Sequence, residues 1–189
     1  MKGNKKTVAL TEEQYKELIS TIQSGCSLFR PNDRIATALV LEANLGLRIS
    51  DIVALHLSDI VKDGTRYRLD IVEQKTSKKR TFTVPVEILN YIREYADRHG
   101  LGKNDLLFPI TTTAVQKHLR TVCEYLGMDG ISTHSFRKFY ATNIYKNNNY
   151  NIVLVQKLLQ HSSPAVTQRY IGIGTKELED AIQKNLNLL

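Results

Sequence analysis

Cysteine is nearly absent from this chain of 189 residues: Cys26 and Cys123 are too few for a disulfide framework and lack the C-x-x-C spacing of a zinc or redox site. Both are expected to be reduced thiols. Long apolar runs are missing too. The richest stretch, Ile35 to Leu47, is interrupted by Thr37, Glu42 and Asn44, whereas crossing a bilayer takes roughly 20 apolar residues in a row. No membrane span is expected. The opening MKGNKKTVAL is basic but leads into the polar TEEQ, without an apolar core or small-residue cleavage site, so no secretion signal is read and a cytoplasmic location is expected. Low-complexity tracts and repeats are also lacking. What the chain does have is a 42% share of hydrophobic residues, enough for a core, and 26 Lys+Arg against 19 Asp+Glu, a net charge of +7. The surplus favours an anionic partner but does not name one.

Residues 1–9 read as a solvated basic lead-in, and Thr11 with Glu12 and Glu13 behind it marks a helix start. Apolar residues recur at helical spacing from Asp33 to Leu45, where Asn44-Leu45-Gly46 gives a stop. A short helix follows from Ser50. Between Tyr67 and Val84 the period becomes two, in RYRLDIVEQ and TFTVPV around the polar hinge KTSKKR, which predicts a β-hairpin with a basic tip. Helical patterns then return over 87–99, 113–126, 135–146, 152–160, 164–170 and from about Lys176. The expected fold is mainly α (α+β): one helical domain over 10–175 with a small antiparallel sheet near residues 58–84, and a C-terminal helix over 176–189.

Four segments carry candidate chemistry. In Gly46-Leu47-Arg48-Ile49-Ser50-Asp51, Arg48 enters a helix just after a glycine stop, with Asp51 three residues on to orient it. Alone, the two are also an ordinary surface ion pair. Lys75 lies in a cationic turn with Lys78, Lys79 and Arg80, which suits a solvated loop, nonspecific phosphate contact, or a mobile lysine over a reacting phosphate. His134 and Arg137 share a helical face at i and i+3, leaving Phe136, Tyr140 and Ile144 for packing. Two cationic groups held so close make sense if a phosphate lies between them; a chance surface pair is the alternative. In Leu158-Leu159-Gln160-His161-Ser162-Ser163-Pro164, Ser163 suits a cap and Pro164 a first helical turn, and the new helix carries Tyr170.

Taken in order, Arg48, Lys75, His134-x-x-Arg137, His161 and Tyr170 resemble the tyrosine recombinases, or phage integrase family, over residues 10–175. NLGLRISDIVALHLSDI resembles that family's first arginine box, VEQKTSKKRTFTVP its β-hairpin lysine, and HSFRKFYATN with LLQHSSPAVTQRY its second box. Two positions depart from the pattern: Asp51 stands where Glu is usual, and Gln160 replaces the common Gly before the second histidine. The family's separate N-terminal helical clamp is not among these residues. Either an excised catalytic domain or a short recombinase like the fimbrial phase-variation inverting enzymes is expected.

The resemblance implies a site-specific recombinase that cuts and rejoins DNA by transesterification, with no cofactor and no metal. Tyr170 would attack phosphorus to form a 3′-phosphotyrosyl link, Arg48 and Arg137 would hold the nonbridging oxygens, and His134 would take or orient the phenol proton. His161 would donate to the phosphate, and Lys75 would protonate the leaving 5′-oxygen. Lys78, Lys79 and Arg80 would contact DNA phosphate. The implied partners are a double-stranded recombination site, further copies in a homo-tetramer on DNA from a free monomer, and in some settings an accessory directionality protein. A stripe of Leu178, Ile182, Leu186 and Leu189, behind a Thr175 cap, suits docking on a neighbouring copy or folding onto its own core. Alternatives to recombination are a type IB topoisomerase-like nicking and closing activity, or a DNA-binding module without catalysis.

Overall fold

Thr11 opens the fold as read from sequence: its hydroxyl accepts the Gln14 amide at 3.2 Å while the Gln14 side chain accepts the Thr11 amide at 3.0 Å. This reciprocal cap starts α1 (Glu12–Ser24). The structure, a computed structural model, describes residues 7–161, 163–171 and 183. It comprises two compact units, the first ending at Tyr140 and the second starting at Ala141.

In the first unit, Asn32 caps α2 (Asp33–Leu45) by accepting the Ile35 amide at 3.0 Å. Along α2 nine residues are buried, and its aliphatic side chains join those of α1, α4 (Val86–Arg98) and α5 (Thr112–Tyr125) in one core. Gly46 then adopts φ 58° and ψ 26°, a left-handed cap that ends α2, with the Tyr140 ring packed against it. This abrupt exit delivers Leu47 to the core and Arg48 to the start of α3 (Ile49–Ile52). A single 3₁₀ turn, Leu57–Asp59, leads into the sheet.

The sheet is antiparallel in the order β1 (Ile60–Asp63), β2 (Arg66–Val72), β3 (Lys79–Val84). Leu69 of β2, fully buried, pairs with Ile60 on one side and Phe82 on the other. The sheet lies where it was expected, with two differences. A third strand, β1, precedes the hairpin, and the hinge is shorter than read: the ladder extends through Ile71↔Arg80 and Val72↔Lys79, so Lys79 and Arg80 belong to β3.

α6 (Thr133–Asn147) begins in the first unit and ends in the second, which also holds α7 (Ile152–Leu159) and α8 (Pro164–Ile171). Asn151 caps α7 through the Leu154 amide at 3.0 Å, and Ser163 and Pro164 stand at the start of α8 as expected. The helix anticipated from Lys176, with its Thr175 cap and leucine stripe, lies outside the described residues. No described helix is long and apolar enough to cross a membrane.

Candidate active site

Arg48 is positioned by an acid that sequence reading did not single out. Its guanidinium donates to Glu73 Oε2 at 2.7 Å, and Glu73, only 1% exposed, also accepts from Arg80 at 3.1 Å and the Thr76 hydroxyl at 2.7 Å. These are short, charge-assisted bonds in a dry setting, which hold a guanidinium better than a surface pair does. Asp51, expected to orient Arg48, bonds elsewhere. Its Oδ1 accepts the Gln74 amide at 2.8 Å, tying α3 to the turn between β2 and β3. That turn is closed by the Glu73 amide to the Lys78 carbonyl at 3.0 Å and the Ser77 amide to the Glu73 carbonyl at 2.9 Å. Its base is therefore fixed on both sides, while Lys75, Lys78 and Lys79 remain exposed.

Arg80 corrects the expectation of a phosphate contact at the hairpin tip. It is 2% exposed, donates to Glu73 and to the Gly46 carbonyl at 3.5 Å, and lies over the Phe82 ring at 5.0 Å. Strand pairing turns it inward, so it builds the floor under Arg48 and Gly46 and does not meet solvent.

His134 and Arg137 lie on the same side of α6 at different depths: the histidine is exposed, whereas Arg137 is almost wholly enclosed at 2%. Partial desolvation holds His134 below its ordinary pKa, reinforced by Arg137, Lys75, Arg48 and Lys138. Four cations thus gather at one neutral imidazole. The N-terminal segment braces the loop before it, through the Val8 amide to the Gly130 carbonyl at 3.2 Å and Lys138 Nζ to the Thr7 carbonyl at 2.5 Å.

Glu42 on α2 is fully buried, and burial pushes its carboxyl well above the usual carboxylate range, with Arg137 opposing the shift. Like Glu73 it was missed as a site residue, although each left a trace in the sequence. Glu42 is the lone acid in the later, most apolar part of its helix, and Glu73 ends an alternating strand next to a lysine-rich hinge.

In the second unit His161 Nδ1 is 3.1 Å from the hydroxyl of the buried Thr167, and its ring meets Tyr170 edge to face at 5.0 Å between centroids. Gln160 ends α7 in the left-handed region, at φ 53° and ψ 38°, so it takes the turn a glycine would favour. The turn and α8 together place His161, Thr167 and Tyr170 as one group. Among the described residues no set of three or more His, Cys, Asp or Glu is arranged to hold a metal ion.

The model of the phage integrase family matches residues 9–176. The chain belongs to this family, and its fold is that of a tyrosine recombinase catalytic domain, the class of enzyme that breaks and rejoins DNA strands. It is 32% identical over 153 residues to the probable integrase/recombinase YoeC of Bacillus subtilis, covering 77% of this chain and 81% of that protein. With the tyrosine recombinase XerC of Caldanaerobacter subterraneus it shares 29% identity over 189 residues, covering 94% of this chain and 51% of the relative. The crystal structure of XerH site-specific recombinase bound to difH substrate superposes with a TM-score of 0.67 at 20% identity, covering 99% of this chain and 57% of that one. The chain therefore spans little more than half the length of XerC and XerH.

Proposed function

We propose that this chain is the catalytic part of a site-specific recombinase that acts on a double-stranded recombination site through a 3′-phosphotyrosyl intermediate. The observation that carries the reading is the gathering of Arg48, Lys75 and Arg137 around a neutral His134. Such a group has no use for so many cations unless an anion arrives among them, and a phosphodiester supplies it.

The Tyr170 phenol attacks phosphorus and its proton passes to His134, which is free to accept because burial, reinforced by the neighbouring cations, holds its pKa low. Arg48 and Arg137 stabilise the charge that develops on the nonbridging oxygens, and His161, steadied by Thr167, donates a further hydrogen bond. Lys75, on the exposed turn, gives its proton to the departing 5′-oxygen. Attack by a 5′-hydroxyl on the phosphotyrosine reverses these steps and reseals the strand, so the energy of the broken bond is conserved and no ATP is called for. Lys78 and Lys79 attract the duplex backbone. The family resemblance supports a free monomer that assembles as four copies on two duplexes, with accessory proteins setting direction.

The test is a nicked duplex of the mapped site that loses its 5′-hydroxyl after cleavage, incubated in EDTA with the parent chain and with Tyr170→Phe. A covalent protein–DNA band that needs Tyr170 is expected. Equal gel shifts from both proteins with no covalent band from either would overturn the catalytic reading in favour of a DNA-binding module.

A further inference from the structure

The residues just ahead of the Thr11 cap are tied to a distant part of the chain. Leu10, 6% exposed, sits in the core. Val8 is held differently: its side chain is 48% exposed, so apolar burial does not anchor it, and its backbone amide donates to the Gly130 carbonyl at 3.2 Å. One residue earlier the Thr7 carbonyl accepts from Lys138 Nζ at 2.5 Å, and the Thr7 hydroxyl lies 3.4 Å from that of Ser132. Residues ahead of a first helix fray unless tied down, and three polar contacts over two residues exceed what seating Leu10 requires.

All three contacts land around the start of α6. Gly130 and Ser132 belong to the connection from α5, and Lys138 lies one turn along α6 from His134. That connection is soft by composition, since Gly127 and Gly130 both take left-handed φ, 65° and 73°. Its α5 end is closed by the Met128 amide on the Cys123 carbonyl at 2.9 Å. At its α6 end the Ser132 amide donates to the Ser135 hydroxyl at 3.1 Å and the Ser135 amide to the Ser132 carbonyl at 2.8 Å. These local bonds shape the turn but do not fix where it lies against the rest of the unit. Thr7 and Val8 do, because they continue through Leu10 into the core and α1, whose Tyr15 stacks on Phe139 of α6 at 4.9 Å. His134, exposed in the first turn of α6, has no core packing of that kind to place it.

We propose that Thr7 and Val8 form a strap whose residues are positioning residues for the recombination chemistry: by holding Gly130, Ser132 and Lys138 they set the first turn of α6, so that the His134 imidazole is already placed when the phosphate arrives. This inference rests on His134 acting on the phenol proton, as read above. If the turn drifts, His134 moves relative to Arg48 and Lys75, which stand on other elements, while Arg137 and Lys138 move with it. Partial burial and these four cations hold the imidazole low, so a drift outward raises its pKa.

The experiment compares the full parent chain with Val8→Pro, which deletes the amide donor, Val8→Ala, which keeps it, the double variant Thr7→Val with Ser132→Ala, and His134→Gln. Single-turnover cleavage of the mapped site is followed at saturating DNA, below every melting temperature, from about pH 5 to about pH 8, the range in which histidine titrates. Val8→Pro is expected to bind DNA within about 3-fold of the parent but to cleave about 10- to 100-fold more slowly at neutral pH, the cost of misplacing a reacting group by about 1 Å. The rising limb of its pH profile should move up towards the ordinary 6.5 of histidine, and Val8→Ala should cleave as the parent does. The double variant should show the same shift with a smaller loss, and it decides the matter where Val8→Pro does not melt cooperatively. Parent-like cleavage by Val8→Pro and the double variant beside an impaired His134→Gln overturns the inference and leaves the reading of His134 standing. Slower cleavage with an unmoved limb marks a merely structural role and overturns it too, as does an equal loss in Val8→Ala. Parent-like cleavage by His134→Gln overturns the reading of His134 itself, and the strap's role with it.

Discussion

Replacing Glu73 with alanine removes one carboxylate and strikes at two arginines. The side chain is 1% exposed and takes bonds from Arg48 at 2.7 Å, Arg80 at 3.1 Å and Thr76 at 2.7 Å. The heavier loss falls on Arg80, itself 2% exposed, which is deprived of its carboxylate in a site water does not reach. Removing one member of a buried ion pair costs about 3–5 kcal/mol, a large part of the roughly 5–15 kcal/mol that holds a domain folded. For a chain of this size each kcal/mol moves the melting point by about 2–4 °C, so Glu73→Ala should melt about 6–20 °C below the parent at pH 7. The effect has a pH signature. Burial pushes the Glu73 carboxyl up, but Thr76, Arg48 and Arg80 together hold it below its ordinary value of 4.5. A carboxylate whose folded pKa is depressed contributes its full stability above the unfolded value and loses it as pH falls through the folded one. Thermal melts of both proteins should therefore differ most at pH 7, and the gap should narrow as pH falls from the unfolded value through the depressed folded one. A variant that melts within about 2 °C of the parent at pH 7, or a gap that widens on acidification, would refute the argument.

Two further outcomes follow from the same geometry. His134, held low by partial desolvation and by Arg137, Lys75, Arg48 and Lys138, should titrate below 6.5 when its imidazole is followed by NMR, and Lys75→Gln should raise the midpoint; a parent value at or above 6.5 would mean the cations are not gathered there. Gly46→Ala should melt several degrees lower than Gly100→Ala, because both positions have left-handed φ, costing about 1–2 kcal/mol for a side chain, but only at Gly46 would the new methyl run into an aromatic ring, that of Tyr140.

Much of this arrangement was legible in the sequence because it is written in local code. Thr11 with Gln14, the stop at Gly46, Pro164 after Ser163 and the alternation of RYRLDIV each fix backbone within a few residues, and each appears in the structure at or near its expected place. The spacing of His134 and Arg137 likewise gave their shared side of α6. What spacing does not carry is depth. Arg80 read as one more cation of an exposed tip, but the β2–β3 register turns it inward onto Glu73. Asp51 read as the partner of Arg48 because it is three residues away, whereas the true partner, Glu73, is 25 residues away in the turn after β2. Glu42 and Glu73 escaped notice because a lone acid has no periodicity of its own, and its meaning comes from a cation brought to it by tertiary packing.

Those acids explain how the site exists before any DNA reaches it. Arg48, Arg80 and Arg137 set side by side without counter-charges would repel one another and Lys75, and the first unit would be destabilised by its own function. Glu73, bonded to Arg48 and Arg80, and Asp51 answer this, each under 4% exposed, and leave the outer side of Arg48, His134 and the lysine turn to an incoming anion. The two layers also differ in their response to salt. Attraction by exposed Lys75, Lys78 and Lys79 is weakened by counterions within about 10 Å at 0.1 M, but the enclosed arginines are shielded from that screening. On the proposed reading, the exposed lysines therefore govern how tightly the duplex is held at a given ionic strength. Arg48, fixed by Glu73, and the enclosed Arg137 govern how fast a bound phosphate reacts.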